Sequence, residues 1–327
     1  MPARSELLHG QESSQTLLAV TGLTKHFGTN PAVRAVEEVS FTLDKGQVLG
    51  VVGESGSGKS TIGRLALRLL TPTAGTVSYA GQDLGALAPQ DLRRFRRHMQ
   101  MIFQDPFASL NPRMTIGDAL IEPIRLHRGL NKAKALEEAE LLLEKVGLTR
   151  EHLKRYPRAF SGGQRQRVAI ARTLASNPSF IVADEPVSAL DVSIQAEVLN
   201  LLQGLQRDLS LTMMFISHDL SVVEVISDRV MVLYLGRVME LAENSALFGR
   251  TAHPYTAALM HAAPGARPRG DRIVLSGEIP SPSAPPSGCV FRTRCPFVLP
   301  DCAKAVPPLR ETAPGHWKAC IRDDLSL

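Results

Sequence analysis

The stretch Gly53-Glu54-Ser55-Gly56-Ser57-Gly58-Lys59-Ser60-Thr61 has the residue types and spacing to hold a polyphosphate. It fits G-x-x-x-x-G-K-[ST] from Gly53 to Ser60. Glycines let the backbone curl so that several N–H groups point inward, and the N-terminus of a following helix adds its positive end. In such a loop Lys59 reaches the β- and γ-phosphates. The Ser60 hydroxyl ligates Mg²⁺, and Thr61 bonds a nearer phosphate oxygen. The loop alone implies a nucleoside triphosphate and leaves the class of protein open.

Other residues extend this chemistry. Phe180-Ile181-Val182-Ala183-Asp184-Glu185 reads as a buried strand ending in two acids. Asp184 there can hold Mg²⁺ through water, and Glu185, projecting differently, can orient or deprotonate the attacking water. His218 follows Phe215-Ile216-Ser217 and reads as a γ-phosphate contact. Gln104 closes another strand and means nothing alone. Ser161-Gly162-Gly163-Gln164-Arg165 reads as a second anion cradle at a helix start, too late in the chain to belong to the first loop. Four cysteines, Cys289, Cys295, Cys302 and Cys320, follow the spacing C-x5-C-x6-C-x17-C. The C-x2-C pairs usual for zinc are absent. Four thiolates from irregular loops also suit a [4Fe–4S] cluster. Spacing leaves cluster, zinc and unliganded thiols open.

The elements that must position these residues are legible as patterns. Val48–Val52 is apolar and β-branched enough for a buried strand before the loop, and Ile62, Leu65, Ala66, Leu69 and Leu70 recur at helical spacing after it. Further strands are expected at Leu17–Val20, Val39–Leu43, Thr76–Tyr79, Met99–Gln104, Leu211–Ser217 and Val230–Leu235. Helices are expected from Ser161 and over about Val198–Leu209. Glu137–Val146 falls in a helical insertion, and Arg93–Arg97 is a solvated basic face. Alternating strands and helices imply an α/β fold with a mainly parallel sheet. Residues 1–16 read as a flexible lead-in, 17–260 as one domain with a helical subdomain at about 105–165, and 261–327 as a separate, proline-rich, loop-rich module.

The 327 residues suffice for one large domain or two modest ones. Aromatics at 5% weaken any base-stacking reading, and the net charge of +5 is only mildly basic. No apolar run approaches bilayer length, and the first residues lack a signal-peptide core. A cytoplasmic chain is expected, with any membrane contact made through a partner.

Together these motifs resemble the ATP-binding subunit of an ABC transporter over roughly residues 17–260. The phosphate loop is 53–61, the glutamine loop centres on Gln104, the signature is 161–165, the acidic strand is 180–185, the next loop is Ser188–Asp191, and the switch histidine is His218. The resemblance implies an ABC-type P-loop ATPase fold, a RecA-like core plus helical subdomain. It implies ATP and Mg²⁺, with Ser60, Gln104 and Asp184 toward the metal and Lys59, Gln104, Glu185 and His218 catalytic. Phe27 takes the place of the aromatic that stacks on adenine, and Ser161, Gly162, Gly163, Gln164 and Asp191 join the nucleotide contacts.

Gln104-Asp105-Pro106-Phe107-Ala108-Ser109-Leu110-Asn111-Pro112-Arg113-Met114, Ala183–Ser193 and His253-Pro254-Tyr255-Thr256 are similar to the peptide-importer branch. So is the tail, Gly277–Pro282 with Pro286-Ser287-Gly288-Cys289 and Arg294-Cys295-Pro296, which looks most like the second of the two ATPase subunits such importers carry. The branch implies a [4Fe–4S] cluster on the four cysteines. It implies a head-to-tail dimer with a paralogous ATPase subunit, in which Ser161–Gln164 of one subunit caps ATP on the loop of the other. Two transmembrane permease subunits and, indirectly, an external substrate-binding protein complete the expected partners. No nucleic acid is expected, and the chain is placed peripherally on the cytoplasmic face of the membrane. Nickel, opines and glutathione are alternative cargoes. A soluble ABC ATPase of DNA repair or translation is the rival from another class. Such proteins tend to carry two cassettes or a long coiled-coil insertion, and this chain shows one cassette and a short insertion.

Overall fold

The computed structural model describes residues 16–263, 273–325 and 327. Apart from Thr16, the expected N-terminal lead-in lies outside them. The chain divides into two compact units, residues 1–86 with 215–327, and residues 87–214.

The first unit opens with β1 (Thr16–Phe27), β2 (Val33–Asp44), β3 (Val48–Val52), α1 (Lys59–Ala66), β4 (Ala74–Tyr79) and β5 (Gln82–Asp83). β2, β1, β4 and β5 form an antiparallel sheet in that order. β3 takes no part in it. All five of its residues are buried, the pattern of a strand covered on both faces. It pairs in parallel with β9 (Arg229–Tyr234), Leu49 opposite Arg229 and Val52 opposite Val232. Asp228 fixes the start of this pair by accepting from the Val48 N–H at 2.7 Å. Gly50 lets α8 (Leu220–Ile226) and the residue after it close on the strand, because a Cβ there would lie 2.3 Å from Ser227 Oγ.

β9 turns into β10 (Arg237–Glu243), which pairs with it antiparallel. α9 (Asn244–Gly249) and α10 (Pro254–Ala262) follow. The C-terminal segment does not stay apart as the sequence suggested. β11 (Arg310–Ala313) and β12 (His316–Lys318) form a short hairpin, and β12 adds to β10 with Leu241 opposite Trp317. Proline-rich composition hides this, because two strands of four and three residues carry no visible alternation.

The second unit holds α2 (Pro89–Phe95), β6 (Met99–Ile102), α3 (Pro106–Ser109), α4 (Ile116–Arg128), α5 (Lys132–Lys145), α6 (Gly162–Leu174), β7 (Phe180–Asp184) and α7 (Val192–Leu209). β6 and β7 run parallel, Met99 opposite Phe180. α2 buries none of its residues, as expected for the arginine-rich face. In the insertion, Thr115 caps α4 by accepting from the Asp118 N–H, and Asn131 caps α5 by accepting from the Lys134 N–H. α4 runs through Pro123 and ends at Gly129 in the left-handed region. β8 (Thr212–Ser217) begins in this unit and ends in the first.

Candidate functional site

The loop between β3 and α1 is shaped by close backbone approaches. A Cβ on Gly53 would lie 2.2 Å from the Leu233 carbonyl oxygen. Gly58 has φ of 102°, and a Cβ there would lie 2.3 Å from the Ala35 carbonyl oxygen. Only glycine meets both conditions. The Gly236 N–H donates to the Ser57 carbonyl at 2.9 Å and fixes the loop against the β9–β10 turn. No side chain caps α1, and no acidic residue lies in its first turn. No side-chain charge of its own first turn offsets the positive end of the helix. The buried Lys59 ammonium donates to the Gly53 and Glu54 carbonyls at 2.8 and 3.0 Å. Among the described residues Ser57 Oγ is buried with no hydrogen-bond partner. An uncapped helix start, an ammonium held under the loop and an orphaned hydroxyl fit an anionic polyphosphate.

Glu54 is used differently from its neighbours. Its N–H donates to the Tyr255 hydroxyl at 3.0 Å and its carboxylate is gripped by Arg294. Neither group is turned to a ligand, so the loop's phosphate contacts are left to the residues after it. In the same unit Phe27 ends β1, 39% exposed, with the Lys25 ammonium 5.1 Å from its ring centre. His218 is exposed just beyond β8, and the next residue, Asp219, caps α8 by accepting from the Ser221 N–H at 2.9 Å.

The second unit brings Gln104 and Glu185 together: Gln104 Nε2 donates to Glu185 Oε2 at 3.3 Å. Glu185 sits at φ of 48°, a region that non-glycine residues seldom occupy. This turn follows directly on the buried Asp184, the last residue of β7. Ser188 stabilises the turn through its N–H and hydroxyl, both donated to the Glu185 carbonyl. The Ser-Gly-Gly-Gln segment is a reciprocal cap. Ser161 Oγ accepts from the Gln164 N–H at 3.3 Å, and Gln164 Oε1 accepts from the Ser161 N–H at 3.1 Å. Gly163 is required by α7, since a Cβ would lie 2.6 Å from Ile194 Cγ2. Asp191 is exposed at the start of α7 and its side chain does not cap that helix.

The four cysteines are unpaired, Cys289 and Cys302 buried, Cys295 and Cys320 half-buried. Burial pushes the Cys289 and Cys295 thiols up to about 11, and Cys320 also upward. The other cysteines push the Cys289 and Cys295 thiols in the same direction. The Cys289 N–H donates to the Cys302 carbonyl at 2.8 Å. Among the described residues no three His, Cys, Asp or Glu side chains stand at the spacing of a single metal ion.

Two family profiles match the chain. The one described as ABC transporter covers residues 36–188, and the one described as oligopeptide/dipeptide transporter, C-terminal region, covers 239–302. Among solved structures, the ATP-binding cassette MJ0796, a dimer in a post-hydrolysis state bound to ADP and Pi, is 29% identical with a TM-score of 0.65, covering 70% of this chain and 99% of that one. CbiO1 of Clostridium perfringens, part of a CbiONQ ABC transporter complex, is 25% identical with a TM-score of 0.64, covering 72% and 91%. The chain is an ATPase cassette of the ABC transporter family. Within that family it belongs with the peptide-transport ATP-binding proteins. A Brucella ovis protein named for peptide import and ATP binding is 58% identical over 312 residues, 94% of this chain and 98% of the relative. The oligopeptide transport ATP-binding protein AppF of Bacillus subtilis is 50% identical over 321 residues, 94% and 98%. Among the described residues no helix is long and apolar enough to cross a membrane.

Proposed function

We propose that this chain hydrolyses ATP to power the import of di- and oligopeptides through membrane permease subunits. The observation that carries the cargo is the match of residues 239–302 to the oligopeptide/dipeptide C-terminal region, joined to a cassette along nearly the whole chain. The loop from Gly53 to Thr61 takes the triphosphate, with Lys59 on its terminal phosphates and Ser60 on Mg²⁺. Asp184 and Gln104 serve the metal, Glu185 orients or deprotonates water, and His218 contacts the γ-phosphate. Phe27 offers a ring to adenine. Ser161–Gln164 and Asp191 serve the nucleotide of a second cassette, paralogous to this one, in a head-to-tail dimer. The chain itself acts at the cytoplasmic face, held there by the permease.

The Gln104–Glu185 hydrogen bond supports the division of labour, since it joins the glutamine loop to the residue assigned to water. Glu185→Gln in the assembled transporter should bind ATP and accumulate the closed dimer without turnover. Undiminished steady-state hydrolysis by that variant would remove Glu185 from the reaction.

Cys289, Cys295, Cys302 and Cys320 are assigned to a [4Fe–4S] cluster with a structural or redox role. The support is the backbone hydrogen bond that joins Cys289 to Cys302, their lack of disulfides and their partial burial. Iron and acid-labile sulfide, assayed with the visible spectrum of anaerobically purified protein, test this. About four irons per chain support the cluster, and colourless, iron-free protein, with or without zinc, refutes it.

A further inference from the structure

The segment that carries the cysteines also holds the phosphate loop. Arg294 immediately precedes Cys295, is buried, and forms a two-pronged ion pair with Glu54, Nη1 to Oε2 at 2.6 Å and Nη2 to Oε1 at 3.1 Å. Such fork-on-carboxylate pairs combine charge with fixed geometry. Tyr234 also supports the guanidinium. Its Nη1 lies 3.4 Å from the Tyr234 hydroxyl and its Cζ 5.8 Å from that ring's centre. Tyr234 packs with Tyr255 and Phe291 in one aromatic cluster. Tyr255 in turn accepts the Glu54 N–H, and the Glu54 carbonyl accepts from Lys59 Nζ at 3.0 Å. Every polar group of Glu54 is thus tied, two of them to residues 255 and 294, inside the stretch that matches the oligopeptide C-terminal region and outside the matched cassette.

The charge balance gives this a consequence. A carboxylate on the first variable residue of a phosphate loop opposes a polyphosphate of the same sign at short range. Arg294 cancels that charge and pins the backbone whose carbonyl positions Lys59. A guanidinium stays charged at any working pH.

We propose that Arg294 is a positioning residue for ATP binding: the C-terminal extension neutralises Glu54 and holds the phosphate loop in the shape and charge that ATP requires. The proposal rests on the reading of residues 53–61 as the phosphate site.

The test uses the complete transporter and compares Arg294→Met, Arg294→Lys, Glu54→Gln and the double variant Glu54→Gln/Arg294→Met. ATP KM, kcat and affinity for a fluorescent ATP analogue are measured at low and high salt. Arg294→Met should raise KM and weaken the analogue about tenfold, or about 1.4 kcal/mol, with kcat changed by less than KM. The defect should shrink with salt, because part of it is repulsion. Glu54→Gln alone leaves the guanidinium without its countercharge and should lower KM. The double variant, with no bare carboxylate, should recover most of the loss, and Arg294→Lys a part of it. A mere packing role predicts the opposite pattern, with the double variant as poor as Arg294→Met or worse and no salt dependence. Either that result or a wild-type KM in Arg294→Met overturns the proposal. If Arg294→Met fails to fold, the direction of the Glu54→Gln shift decides, a raised or unchanged KM being the refutation. Lys59→Ala separates the two layers: if it binds the analogue normally, the phosphate-site reading falls rather than the role of Arg294.

Discussion

Replacing Gly58 by alanine should damage both stability and nucleotide binding, and the size of the effect can be worked from two numbers. The new Cβ would lie 2.3 Å from the Ala35 carbonyl oxygen, and contacts below 3.0 Å are essentially unknown. The loop or β2 must therefore retreat by at least about 0.7 Å, the difference between those two figures. Neither partner is a flexible side chain that can swing aside, so overpacking costs about 1–3 kcal/mol. The φ of 102° adds about 1–3 kcal/mol of backbone strain for any residue with a Cβ. The comparison that isolates the clash is Gly46→Ala, in the turn before β3. Its φ of 75° imposes similar strain, but nothing lies within 4 Å of the added atom. Urea unfolding should show Gly58→Ala less stable than Gly46→Ala by about 1–3 kcal/mol, the clash alone. Because Gly58 is the residue from which α1 springs, its retreat carries Lys59 and the helix start with it. Binding of a fluorescent ATP analogue should fall in Gly58→Ala and hold in Gly46→Ala. Equal stability and equal binding in the two variants would refute the claim that the Ala35 carbonyl shapes the loop.

Two further outcomes follow from the buried polar groups beside β10. Glu240 is fully buried and accepts from the Ala252 N–H at 2.6 Å and the His253 N–H at 3.1 Å, with His316 Nε2 2.6 Å away. Glu240→Ala strands these partners and should destabilise by about 3 kcal/mol or more, read by urea unfolding; a loss below about 1 kcal/mol would show them otherwise satisfied. His253 is buried, and its Nδ1 accepts the Tyr255 N–H at 3.0 Å. Burial lowers its pKa to about 4, Lys318 adding to the effect and Glu240 opposing it. The unfolded chain takes up this proton near pH 6.5 and the folded chain only near 4, so stability contributed by the neutral ring is present above pH 6.5 and lost as pH falls toward 4. The full contribution is about 3 kcal/mol at most. An NMR titration of His253 should show no protonation between pH 8 and 5, and a midpoint near 6.5 would contradict the burial.

How much of this was legible from sequence differs by element. β3 was read over the same five residues that the structure gives, and β7 to within one, because unbroken apolar runs leave a central strand no polar choice. β1 was read as four residues and is twelve. Its outer half, Thr21 to His26, is polar but for the buried Leu23 and is broken by register shifts, so no period survives. α4, with Pro123 inside it, lies in the stretch that the sequence marks only as a helical subdomain. The phosphate loop, the acidic strand end and the Ser-Gly-Gly-Gln helix start are legible because each is a local spacing, whereas the reciprocal cap within the last comes from the structure. Arg294 was visible only as the neighbour of a cysteine, and Tyr255 only as part of a family motif. Their common target is 240 and 201 residues away along the chain, and no local pattern encodes a contact at that distance.

The pairing of β12 with β10 bears on how the chain comes to be made. β10 has β9 on one side, and its other edge is satisfied by residues 316–318. During synthesis from the N-terminus, the phosphate loop, β9 and β10 all leave the ribosome while that edge still has nothing to pair with. Unpaired edges of this kind recruit other strands. A nascent cassette is thus exposed to mispairing until Trp317 and its neighbours emerge. A shortened chain ending near residue 262 would keep that exposure for life, so the fragment that holds the phosphate loop, though it contains the chemistry, should be prone to aggregate when made alone.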